Sequence, residues 1–186
     1  MTSLPKLLSR VGNEWVPHQY PKVFVQEKTT GPDRLKIAAS EGGSRVLLEL
    51  ASVLQEPFGV LYVLMVPRGG SPKGRHQSPC MNRAEVLALF DRFERFWDED
   101  GRHHVWLYSE PGQATLVYDQ HNVVFAYGPL GDFRPVLKDL GYSDAPELSF
   151  PSPHAHQYHQ EFDEAERTLV SLPGWRCSPL DPGDEW

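Results

Sequence analysis

The sequence predicts an α+β fold, a mainly antiparallel sheet of about five to six strands with about three to four helices packed on it. Three observations carry that expectation. Arg83–Trp97 repeats its apolar residues at helical spacing behind a capping signal. Phe58–Val66 is apolar nearly throughout, and residues 103–127 hold three short β-type runs separated by turn residues.

In chain order, Lys22–Gln26 and Arg34–Ala38 flank Gly31-Pro32-Asp33 and read as a β-hairpin. Ser44–Leu54 mixes aliphatic residues with Glu49 and Ser52 and is assigned to a short helix. Phe58–Val66 is apolar on both faces, so a central strand covered on each side is expected. The Gly- and Pro-rich stretch Pro67–Pro79 is a loop. Asn82 with Glu85 three residues on forms a capping box. Behind it, Val86, Leu89, Phe90, Phe93, Phe96 and Trp97 share one helical face, and Asp91, Arg92, Glu94 and Arg95 lie opposite. Gly101 ends the helix.

His103–Tyr108, Ala114–Tyr118 and Val123–Tyr127 then form a three-stranded meander, turned by Pro111-Gly112 and by Asp119–Asn122. A short helix covers Gly131–Leu140. Ser152-Pro153, a cap followed by proline at the first helical position, opens a last helix ending near Leu172. The whole chain, 1–186, reads as one domain whose proline-rich tail, 173–186, folds Trp175 back onto the body.

Composition narrows the function classes. A chain of 186 residues with 40% apolar residues, five Trp, seven Tyr and nine Phe can bury a core without disulfides or metals. Its longest apolar run, Val60–Val66, falls far short of the roughly 20 residues of a membrane helix. Met1–Arg10, broken by Pro5, lacks the apolar stretch of a targeting signal. Cys80 and Cys177 lie outside any CxxC pattern, so reduced thiols and a cytoplasmic protein are expected. Residues 1–85 carry 11 Lys/Arg against 7 Asp/Glu, net +4, whereas residues 86–186 carry 7 against 18, net −11. That balance argues against gripping a nucleic-acid backbone and favours a basic protein partner.

The densest polar stretch is His154–Asp163. Imidazoles and a carboxylate so close together point to a divalent, zinc-type ion held by His154, His156, His159 and Asp163. On a helix, His156, His159 and Asp163 fall within an arc of about 100°. The apolar stripe Tyr158, Phe162, Ala165, Leu169 lies nearly opposite, which turns that arc toward water, and no HExxH spacing is present.

Elsewhere, His103 and His104 are adjacent on a strand and face opposite ways, so a single site can use only one. Arg102, His104 and His121 are candidate binding residues on that account, with Asp119 suited to Asx-type turn bonding. Arg68, Lys73 and Arg75 make the loop 67–79 a candidate basic recognition loop; its glycines do not match a phosphate-binding P-loop. No nucleophile elbow or dinucleotide fingerprint is present.

The expectation is therefore a non-enzymatic protein-binding or inhibitor domain, of immunity type, with an acidic half suited to a basic partner. The alternative is a metal-dependent hydrolase in which the His154/His156/His159/Asp163 set activates water.

Overall fold

The computed structural model describes residues 3–184, so Trp186 at the end of the tail lies outside the described residues. The elements run β1 Leu7–Val11, β2 Glu14–Pro17, β3 Val23–Glu27, β4 Arg34–Ala38, α1 Gly43–Ala51, β5 Phe58–Leu64 and β6 Gly74–Gln77. They continue with α2 Arg83–Arg92, α3 Glu94–Glu99, β7 His103–Ser109, β8 Ala114–Tyr118, β9 Val123–Tyr127 and α4 Leu130–Asp139. The last are β10 Ser143–Asp144, β11 His154–His156, α5 Asp163–Val170 and β12 Arg176–Ser178.

The α+β class holds, with a larger sheet than the sequence suggests. Nine strands pair in the order β10-β3-β4-β9-β8-β7-β5-β6-β12, and a second sheet pairs β11-β1-β2. All pairings are antiparallel except β10 with β3. The extra strands are short segments that become strands only by pairing. Gly74–Gln77, inside the expected loop, pairs with β5, and Arg176–Ser178 then adds to it.

All five helices feed one core on one face of the nine-stranded sheet. Alternation on the strands decides which residues meet it: Val105 and Leu107 of β7, Leu116 and Tyr118 of β8, and Val124 and Ala126 of β9 point toward the helices. Their neighbours Val117, Val123 and Phe125 form a smaller cluster on the other face with Tyr20, Trp106 and Tyr127. β5 is buried at every position, as its two-sided apolar sequence requires.

The Asn82–Glu85 capping box forms as expected. The expected single helix instead breaks at Phe93, whose φ of −114° and ψ of 16° separate α2 from α3. The bend wraps the aromatic stripe around Trp97, whose ring lies 5.6–5.8 Å from those of Phe90, Phe93 and Phe96.

The last helix is also shorter than its sequence suggests. His154–His156 is a strand on β1, Gln160–Phe162 is a 3₁₀ turn, and α5 begins only at Asp163. Backbone bonds explain the difference. Gln157 donates to Lys6 O and Gly101 donates to Gln157 O, so residues 154–157 are taken up by pairing before a helix can start. Lys6 pins the same corner: it is buried, donates to Trp97 O at 3.0 Å and sits 3.7 Å over the Tyr118 ring. Burial pulls its amine down to about 8 against the attraction of Asp119, Asp98 and Asp100. Trp175 packs against the main core, as expected of the tail. Among the described residues no helix is long and apolar enough to cross a membrane.

Candidate functional site

The expected basic recognition loop is tied down. Arg68 Nε lies 3.3 Å from Asp163, and the amides of Arg68 and Ser71 donate to Glu166. Arg75 is held by Asp181 at 2.5 Å and Asp184 at 3.0 Å, while Lys73 sits in the same stretch. Arg102 is buried completely and works inward. Its guanidinium donates to Asp100, Asp163, Glu166 and the His159 carbonyl at 2.8–3.0 Å. Burial alone would depress it, but these acceptors raise its pKa above the ordinary arginine value. Such a guanidinium rivets α5 to the start of β7 and has no donors left for a ligand.

His103 and His104 face opposite sides, as strand alternation requires. His103 lies among Tyr62, Phe96 and Trp97, and burial holds its pKa well below the ordinary value. His104 lies on the other face, also buried, and burial lowers it to about 4 although Asp119 pulls the opposite way.

The histidine-rich segment divides. His159 Nε2 is 2.9 Å from Pro5 O, and Asp163 is engaged by Arg68 and Arg102, so neither joins His154 and His156. His154 and His156 instead meet His121 from the β8–β9 turn. Burial first, then His121 and His154, lower His156 to about 3, so it is neutral at ordinary pH.

A concave, mainly apolar surface lies between α1 and α2. It encloses ≈ 240 Å³, floored by Phe58, Val86 and Phe90 and walled by Leu48 and Leu87. Leu87 is 43% exposed, and a shallower depression around Leu54, Gln55 and Ala84 continues from it. Glu49, Asp91 and Glu94 stand on the rim with Arg45 and Arg83. The two arginines are engaged: Arg45 with Glu49 at 3.4 Å, and Arg83 with the carbonyls of Ala51 and Leu54 at the end of α1. Among the described residues, no salt bridge neutralises Asp91 or Glu94. The sequence reading missed this groove. Its one local signal is Leu87, an aliphatic residue outside the buried stripe of its own helix.

No protein-family model, curated protein or solved structure matches the chain.

Proposed function

We propose that this protein is a non-enzymatic binding module, of inhibitor or immunity type, that docks a basic partner protein on the groove between α1 and α2. The observation that carries the reading is an apolar groove with an exposed leucine and two carboxylates left without a cation. A pocket of this size receives one bulky apolar anchor, the kind of residue that dominates interface energetics. Asp91 and Glu94 favour lysine or arginine beside that anchor and would accelerate encounter with a cationic surface. The net −11 of residues 86–186 acts in the same direction at longer range. A cytoplasmic setting belongs to this reading, in line with two cysteines that form no disulfide.

The test is affinity capture with immobilised full-length protein at low ionic strength, followed by calorimetry on whatever is retained. A basic protein should bind the wild type, elute as salt rises, and bind neither Leu87→Arg nor Asp91→Lys/Glu94→Lys. Equal retention by the variants, or no specific retention at low salt, rejects the reading.

A further inference from the structure

We propose that His121, His154 and His156 form a mononuclear site for a divalent zinc-type ion, with a fourth coordination position open to solvent. The site is independent of the docking groove: it lies on β11 and the β8–β9 turn and shares no residue with the groove's lining.

Two elements build it from opposite sides. His154 and His156 are alternate residues of β11, so they project from one face of that strand. The register with β1, Ser9 opposite His154 and Leu7 opposite His156, fixes that face. His121 comes from the tight β8–β9 turn, where Asn122 takes a φ of 59°. Asp119 organises the turn by accepting from the amides of His121 and Val123 at 2.9 and 3.0 Å.

The hydrogen bonds then decide which ring nitrogens are available. Asp119 Oδ2 lies 2.8 Å from His121 Nδ1, and the buried carboxylate accepts a hydrogen bond from Nδ1–H. The Pro151 carbonyl, which can only accept, lies 2.8 Å from His154 Nδ1. Both rings are thereby fixed as Nδ1–H tautomers that present a lone pair at Nε2. His156 Nε2 is buried and has no protein partner. One ring nitrogen from each of the three lies within 4.8 Å of the other two. A single cation among the three rings would satisfy the nitrogens left without a proton.

The spacing fits a tetrahedral ion. With Zn–N of about 2.05 Å and a ring centre about 1.1 Å beyond the nitrogen, two imidazoles on a tetrahedral centre have centroids about 5.2 Å apart. The observed separations are 5.2 Å for His121–His154, 4.7 Å for His121–His156 and 5.2 Å for His154–His156. The rings are inclined at 78°, 68° and 52°, not stacked. Asp119 behind His121 is the carboxylate–histidine support that metal-bound imidazoles commonly have. Three nitrogen ligands match zinc, cobalt and copper better than magnesium or calcium, which prefer oxygen. Phe150 covers the His121 ring at 4.7 Å, while His154 is exposed, so the fourth position faces water on the His154 side.

The experiment uses the full-length protein stripped with chelator and titrated with Zn²⁺ against a chromogenic zinc indicator, then with Co²⁺ followed by visible absorption. One equivalent of Zn²⁺ should bind, and Co²⁺ should give the intense bands of a four-coordinate site that Zn²⁺ displaces. Asp119→Asn should weaken binding by about 10- to 100-fold, and His121→Ala by more. His154→Gln alters an exposed residue and keeps the test valid if the other variants fold poorly; it too should remove the four-coordinate spectrum. His159→Gln, outside the set, should bind as the wild type does. Absence of stoichiometric binding, or equal affinity in wild type and His154→Gln, overturns the assignment. No partner is involved, so this result and the capture result fail or succeed separately.

Discussion

Acid should destabilise this protein steeply, with His103 and His104 at the head of β7 setting much of the slope. Both are buried, with exposures of 0% and 1%. Burial holds His103 well below the ordinary 6.5, with Lys6 and Arg102 adding to the effect, and holds His104 near about 4. In the unfolded chain both titrate normally, so below that range the unfolded state takes up protons that the folded state refuses. Because the folded values lie below the unfolded ones, the associated stability is complete above about pH 6.5 and is lost as the pH falls. One imidazole kept neutral costs RT ln(1 + 10^(6.5 − pH)), about 1.4 kcal/mol near pH 5.5, so the pair costs about 3 kcal/mol there. Domains of this kind are typically stable by only about 5–15 kcal/mol.

Urea melts of wild type and His103→Phe between about pH 7.5 and about pH 5.5 isolate one member of the pair. Phenylalanine suits a site whose neighbours Tyr62, Phe96 and Trp97 lie 4.6–5.4 Å away, ring to ring. It also removes two buried nitrogens that have no protein partner, for a gain of about 1 kcal/mol near pH 7.5. Across the interval the variant should lose about 1.4 kcal/mol less than wild type. Parallel pH curves would mean instead that His103 is free to take its proton in the folded state.

Other substitutions probe the buried ion pairs of Arg102 and the packing of α1 on Tyr118. Arg102→Met leaves Asp100 and Glu166 buried without their cation and should cost about 3–5 kcal/mol in urea melts near neutral pH. Burial would raise Glu166, but Arg102 and the amides of Gly69 and Ser71 keep it below the ordinary value. The deficit should therefore shrink as the solution is acidified into the carboxylate range; a deficit independent of pH contradicts the ion-pair account. Gly43→Ala brings a Cβ to 2.3 Å from the buried Tyr118 ring, which is anchored by a 2.8 Å bond to Asn122. A loss of about 1–3 kcal/mol in thermal melts is expected, whereas Gly131→Ala, with nothing within 4 Å, should lose little.

The parts of the fold legible in the sequence are those decided locally. The meander declares itself through alternation and turn residues over 103–127, and α2 through its capping box. β6, β11 and β12 do not: Gly74–Gln77 sits in a Gly- and Pro-rich stretch and pairs back onto β5, while His154–His156 and Arg176–Ser178 are strands only by virtue of partners far along the chain. The candidate metal site shows the same division. His154 and His156 stand out by composition, but the helical period joins them to His159 and Asp163. A period of two places His154 and His156 on one face and leaves their third member to be supplied from elsewhere. His121 is legible as a candidate binding residue in a turn beside Asp119, with nothing in its local pattern to join it to His154 and His156. The basic residues Arg68, Arg75 and Arg102 carried no sequence mark to show that Asp163, Asp181, Asp184 and Glu166 would occupy them.

The pairing of β1 with β11 has a consequence for how the chain is made. Leu7 pairs with His156 across β1 and β11, and Lys6 donates to a carbonyl at Trp97. On the ribosome, where synthesis runs at about 5–20 residues per second, the first strand emerges long before β11 exists. The hairpin of β1 and β2, which carries exposed Val11 and Trp15, must wait until His156 has been translated. Nascent chains halted before residue 154 should therefore keep residues 7–17 open to protease and to chaperone, and protection there should arrive in a single late step.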